Sequence, residues 1–128
     1  MRLLLDTHLL LWAVHEPERL PAGARNLMED PENIVFFSTT AVWEVTIKNA
    51  RDKPDFRINP RRFRDRLVAN QFLELSITSD HALAVVALPQ IHKDPFDRIL
   101  VAQAIHEAIT LLTADALLAQ YPGPIMLV

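Results

Sequence analysis

Four acidic residues stand where acids are costly. Asp6 ends the apolar run Arg2-Leu3-Leu4-Leu5, and Glu44 lies inside Ala41-Val42-Trp43-Glu44-Val45-Thr46-Ile47. Asp97 heads a stripe of Leu100, Val101 and Ala104 at helical spacing, and Asp115 follows Ile109-Thr110-Leu111-Leu112-Thr113-Ala114. An isolated carboxylate in apolar surroundings is expensive, whereas several sharing a hard divalent cation are neutralised by it. Asp6 and Asp115 follow apolar strands and so belong at the carboxyl edge of a buried parallel sheet, where open α/β folds bind their ligands. The chemistry such a set supports is oxygen ligation of Mg2+ or Mn2+, as one or two ions.

Each acid also has an ordinary structural role open to it. In Asp94-Pro95-Phe96-Asp97, Asp94 can cap a helix, Pro95 can be its first residue, and an acid at Asp97 favours the helix dipole. Asp94 also precedes Arg98 by one helical turn. Glu44 can pair with Lys48 at i, i+4, and Asp115 can cap the last helix. Ser38, Thr39 and Thr40 serve equally as helix caps or as partners of a metal-bound water. His8, His15, His81, His92 and His106 show no zinc-binding spacing, which favours surface or core roles for all of them.

Strands and helices alternate along the chain. Strands are expected at Arg2 to Leu5, Ile34 to Phe37, Leu73 to Ile77, Ile109 to Leu112 and Ile125 to Val128. Helices are expected at about His8 to Val14, Pro21 to Glu29, Thr40 to Asn49, Pro60 to Asn70, Ser79 to Leu88, Pro95 to Glu107 and Asp115 to Tyr121. Ser79 is the expected cap of the helix that Pro89 ends, and Arg51 to Asn59, charged and aperiodic, is a loop. Short, almost wholly apolar strands separated by helices predict an α/β fold, a parallel sheet covered on both faces.

The chain has 128 residues and 50% hydrophobic content, which predicts a single domain over 1–128 with a sizeable core. The absence of cysteine excludes disulfides, thiolate catalysis and cysteine zinc sites, and is compatible with a cytoplasmic setting. Asp6 and His8 interrupt the leading apolar run, so the start is read as strand then helix rather than as a signal peptide. No apolar stretch approaches the roughly 20 residues that span a bilayer, so a soluble protein is expected. The net charge of -3 is uneven: Lys48 to Arg66 carries eight basic and three acidic residues, a local +5 that leaves -8 elsewhere. An acidic body with one basic stretch suits a protein that holds cations centrally and steers a polyanion from its rim. Leu9-Leu10-Leu11-Trp12-Ala13-Val14 is apolar on every side, which points to a protein interface.

The opening Leu-Leu-Leu-Asp-Thr-His, the Ser-Thr-Thr-Ala-Val-Trp-Glu stretch, the Asp-Pro-Phe-Asp-Arg-Ile-Leu-Val-Ala-Gln-Ala helix and Leu112-Thr113-Ala114-Asp115 occur in that order over nearly the whole chain. This pattern resembles the PIN domain family, and within it the VapC-type toxins of bacterial and archaeal toxin-antitoxin pairs. The resemblance implies a three-layer α/β/α sandwich with about five strands in a central parallel sheet. It makes Asp6, Glu44 and Asp97 the central metal ligands, with Asp115 the fourth and Thr7, Ser38 and Thr113 as polar neighbours. Asp97 is taken as the ligand and Asp94 as the cap, since Asp97 lies on the inward face.

The implied activity is a Mg2+- or Mn2+-dependent endoribonuclease acting on single-stranded or loop RNA, inhibited by a DNA-binding, VapB-like antitoxin and forming a homodimer. Lys48, Arg98 and the basic stretch are the cations expected against RNA phosphates. Competing readings fit less well. A haloacid dehalogenase-type phosphotransferase needs a second aspartate where His8 stands, and a receiver-type phosphoacceptor domain pairs two acids early in the chain. A catalytically silent PIN-like binding module would be expected to have lost some of the acids.

Overall fold

The computed structural model describes residues 1–51, 54 and 56–128. Of the loop expected at Arg51 to Asn59, residues Asp52, Lys53 and Asp55 therefore lie outside the described residues. Strands β1 (Arg2–Leu5), β2 (Ile34–Ser38), β3 (Leu73–Leu75), β4 (Thr110–Thr113) and β5 (Ile125–Leu127) form one parallel sheet in the order β3-β2-β1-β4-β5. The first strand of the chain is thus its central one. Leu4 stands opposite Phe36 on one side and Leu111 on the other. Leu3, Leu4 and Leu5 are completely buried, as an unbroken leucine run in a doubly covered strand requires.

The helices are α1 (Thr7–His15), α2 (Ala22–Glu29), α3 (Thr39–Ala50), α4 (Pro60–Ala69), α5 (Ser79–Ala84) and α6 (Pro95–Glu107). The strand period of two divides the core between the two faces of the sheet. Leu3, Leu5, Phe37 and Leu112 pack with Leu9, Ala24, Val45, Phe63 and Leu67 of the first four helices. Leu4 and Leu111 pack with Leu100, Val101 and Ala104 of α6 on the opposite face. The result is the expected three-layer sandwich. The apolar surplus of α1 is largely absorbed inside the chain: Leu11, Trp12 and Val14 pack, half-buried, against the first cluster. Arg19 lies over the Trp12 ring at 5.0 Å.

The boundaries expected from the sequence hold best where local chemistry punctuates the chain. Helix α6 starts on Pro95 after an Asp94 cap and ends where Ala108 turns left-handed (φ 53°). Three expectations need correction. Thr78 caps α5 in place of Ser79, because His81 reaches back to the Thr78 amide while the Thr78 hydroxyl accepts the His81 N–H. Helix α5 ends at Ala84 and only a 3-10 turn, Val85–Ala87, continues toward Pro89, since β-branched residues and the following proline oppose another helical turn. After Asp115 the expected helix is reduced to a turn and a 3-10 segment, Leu118–Gln120, because the Asp115 carboxylate binds the Leu117 amide and Pro122 follows. No helix among the described residues is long and apolar enough to cross a membrane.

Candidate metal centre

Strand β1 delivers Asp6 to the middle of the carboxyl edge of the sheet, 4% exposed. Its Oδ1 accepts the Leu9 N–H at 2.9 Å and so caps α1. Its Oδ2 accepts the hydroxyl of Thr113, which comes from the end of the adjacent β4. The Thr113 hydroxyl oxygen also accepts the Asp115 N–H at 3.0 Å, tying the first and last acids together through one side chain. Burial pushes the Asp6 carboxyl up and the charge of Asp115 adds to this, while the Thr113 hydroxyl, the Leu9 amide and His8 pull it back.

Helix α3 begins next to it. Ser38, fully buried, caps this helix by accepting the Thr40 N–H at 3.0 Å. Glu44, in the second turn, is 2% exposed. Lys48 Nζ donates to its Oε2 at 2.7 Å, but its Oε1 is buried with no partner among the described residues. An anionic oxygen left in that state is a strong demand for a cation or donor. Thr7, which opens α1 directly after Asp6, is likewise buried with an unpartnered hydroxyl.

Helix α6 brings the third acid. Asp94 accepts the Phe96 N–H at 2.8 Å as its cap, and Asp97 lies in the first turn. Desolvation, followed by the charges of Asp94, Glu44 and Asp6, pushes the Asp97 carboxyl up to about 7, against an opposing pull from His92. Asp97 thus feels two of the other expected ligands and Asp6 feels the fourth. The four carboxylates are thus linked through one another's charge at the carboxyl edge of the sheet.

His92 is the residue that sequence spacing missed. Its Nδ1 accepts the Asp94 N–H at 3.0 Å, so the ring hydrogen belongs on Nε2. That nitrogen lies 3.3 Å from Asp97 Oδ2 and 3.3 Å from Asp115 Oδ2. Ligand-type atoms of His92, Asp97 and Asp115 all lie within 4.8 Å of one another. A lone histidine without a partner at i+3 or i+4 gives no metal-site signal. Only its place two residues before a helix cap could have drawn attention to it.

The residues fit a hard divalent cation: oxygen donors dominate, one donor oxygen is buried without a partner, and like charges raise Asp97. The expected phosphate contacts are placed differently. Arg98 is 8% exposed and faces inward, donating to Pro89 O at 2.9 Å, Val85 O at 3.1 Å and the Tyr121 hydroxyl at 3.0 Å. Its expected role against a phosphate is therefore corrected to one of positioning. The Tyr121 hydroxyl also accepts the His92 N–H at 2.8 Å, so Arg98 and Tyr121 together hold the segment that carries His92. Lys48 is occupied by Glu44. A second group, His81, His106 and Glu107, does not make a comparable centre. The His81 Nδ1 accepts the Thr78 N–H, which leaves a hydrogen on the Nε2 that faces Glu107 at 2.9 Å.

Among curated proteins none matches the chain. A solved structure, VapBC2 from Rickettsia felis bound to a DNA fragment from its promoter, shares the fold with a TM-score of 0.74 at 15% identity, covering 100% of this chain and 99% of the other. Residues 3–124, the span from β1 to the threshold of β5 that contains every acid of the site, match the PIN domain family. The chain belongs to the PIN domain family.

Proposed function

We propose that this chain is a metal-dependent endoribonuclease of the VapC type, cutting single-stranded or loop RNA. The observation that carries this reading is the buried Oε1 of Glu44, without a partner among the described residues, beside an Asp97 whose carboxyl is pushed up to about 7. Neighbouring acids in this state favour a divalent cation bound between them. Asp6, Glu44, Asp97 and Asp115 would hold Mg2+ or Mn2+. When bound, the cation supplies an acidified water and neutralises charge on the phosphoryl oxygens.

The chain's own residues orient the rest. Thr113 fixes Asp6 through its hydroxyl and Asp115 through its amide contact, so two ligands share one anchor. His92 directs Nε2–H toward Asp97 and Asp115 and spreads their charge. The first turns of α1, α3 and α6 all lie at this edge, and their partial positive charge favours an incoming phosphodiester. Phosphate contacts fall to the exposed arginines of the basic stretch, Arg61 and Arg62 among them.

A DNA-binding, VapB-like antitoxin as partner, and a homodimer, belong to the same proposal. The family resemblance and the shared fold with a chain of the Rickettsia felis VapBC2 complex support them. The decisive experiment follows cleavage of an end-labelled single-stranded RNA in Mg2+ or Mn2+. Asp6→Asn and Asp97→Asn should each lower the rate by more than about 100-fold with the fold retained by circular dichroism. Undiminished cleavage in excess chelator would sink the assignment.

A further inference from the structure

Trp43 stands at the rim of the acid site with its indole 57% exposed, an unusual state for the largest apolar side chain. It directly precedes Glu44 on α3, and its ring meets that of Phe96, which directly precedes Asp97 on α6. The two rings are 5.1 Å apart at 81°, edge to face. This contact fixes the orientation of the indole while most of it stays in water. Phe96 is itself half-buried, and its backbone N–H donates to Asp94 Oδ1 at 2.8 Å. The other tryptophan differs: Trp12 is packed against the core and covered by Arg19.

The cations beside the acids add a reason for an aromatic contact here. Lys48 is bound to Glu44 and Arg98 is buried among carbonyls, so neither is free to grip a phosphate next to the reacting bond. Next to the reacting bond, a contact to a base adds a grip that these two side chains do not supply. Resting on the nuclease reading, we propose that Trp43, steadied by Phe96, stacks an unpaired nucleobase adjacent to the phosphodiester at the acid site. The ligand is a single strand, because a paired base cannot leave its helix to meet the indole without losing its own stacking. Stacking of this kind tolerates any base, so Trp43 selects strandedness rather than sequence.

The test uses full-length protein and a short single-stranded oligoribonucleotide. Trp43→Ala should raise KM roughly 5- to 150-fold while kcat stays within about twofold, and Trp43→Phe should recover most of the loss. A substrate abasic next to the cut should weaken binding to the wild type and leave Trp43→Ala unaffected. In a Trp12→Phe, Asp97→Asn background, where Trp43 is the only indole, the same oligonucleotide in Mg2+ should quench fluorescence with saturation, and an equal duplex should not. An unchanged KM in Trp43→Ala, or binding without quenching, overturns the assignment while leaving the nuclease intact. So does a Trp43→Ala protein that sediments as a smaller species with normal KM, which would place the indole in a protein interface. Wild-type protein that neither binds nor cuts single-stranded RNA overturns the nuclease reading, and this role with it.

Discussion

Lys48 donates to Oε2 of Glu44 from one helical turn away at 2.7 Å, and the other oxygen of that carboxylate has no partner among the described residues. The lysine therefore balances the charge of Glu44 without filling its coordination, and a divalent ion entering the site meets a positive charge close by. Lys48→Met should strengthen Mg2+ binding about 2- to 10-fold, as titration calorimetry would show, and weaken the metal-free fold by about 1 kcal/mol. Weaker Mg2+ binding in the variant would mean that the ammonium orients Glu44 more than it repels the ion.

The elevated carboxyl of Asp97 makes stability depend on pH in a stated direction. Its value rises from 3.8 to about 7 on folding, so between these limits the folded chain binds more protons than the unfolded one. Its contribution is full below about pH 4 and is lost as pH climbs through about 7. The slope is at most about 1.4 kcal/mol per pH unit from this group. His15, pushed down by burial and by Arg66, acts in the opposite sense, so the comparison must be with Asp97→Asn. Urea midpoints in chelator should fall from about pH 5 to about pH 8 in the wild type relative to that variant, and Mg2+ should restore the loss. Parallel curves for the two proteins would contradict this.

Arg98 satisfies two carbonyls and the hydroxyl that holds His92, all inside the protein. Arg98→Met should cost about 3 kcal/mol by denaturant titration, because buried acceptors are left unpaired. Arg98→Lys should recover only part, since one ammonium cannot reproduce the fork of a guanidinium. A loss of RNA affinity at unchanged stability would instead return Arg98 to the substrate.

Ala108 closes α6 at φ 53°, in the left-handed region that suits glycine. Relief of roughly 1–2 kcal/mol of strain, less roughly 0.5–1 kcal/mol for the freer unfolded chain, makes Ala108→Gly stabilising by about 0.5–1 kcal/mol. Thermal unfolding of the two proteins side by side measures it, and a lower midpoint in the variant would refute it.

The sequence discloses those parts of the molecule that local chemistry dictates. Leu3 to Leu5 can only be a doubly covered strand, and Asp94-Pro95 can hardly open anything but a helix, so β1 and α6 were legible to the residue. The acids stand out in the sequence because a carboxylate amid apolar residues is costly without a partner. His92 does not, since its partners Asp97 and Asp115 reach it from separate elements. Arg98 was misjudged for the same cause: a cation following an acid suggests substrate, and only the packing of residues 85–89 and Tyr121 around it shows which way it faces. Asp115 to Tyr121 combines helix formers with a cap, and the side-chain bond to Leu117 with Pro122 beyond it outweighs that propensity.

Strand β1 is the middle of the sheet, and Asp6 at its end finds its hydroxyl partner 107 residues later in the chain. During translation every residue up to Thr113 must leave the ribosome before that partnership exists. Nascent fragments that stop short of Thr113 therefore carry Asp6 without the hydroxyl that fixes it.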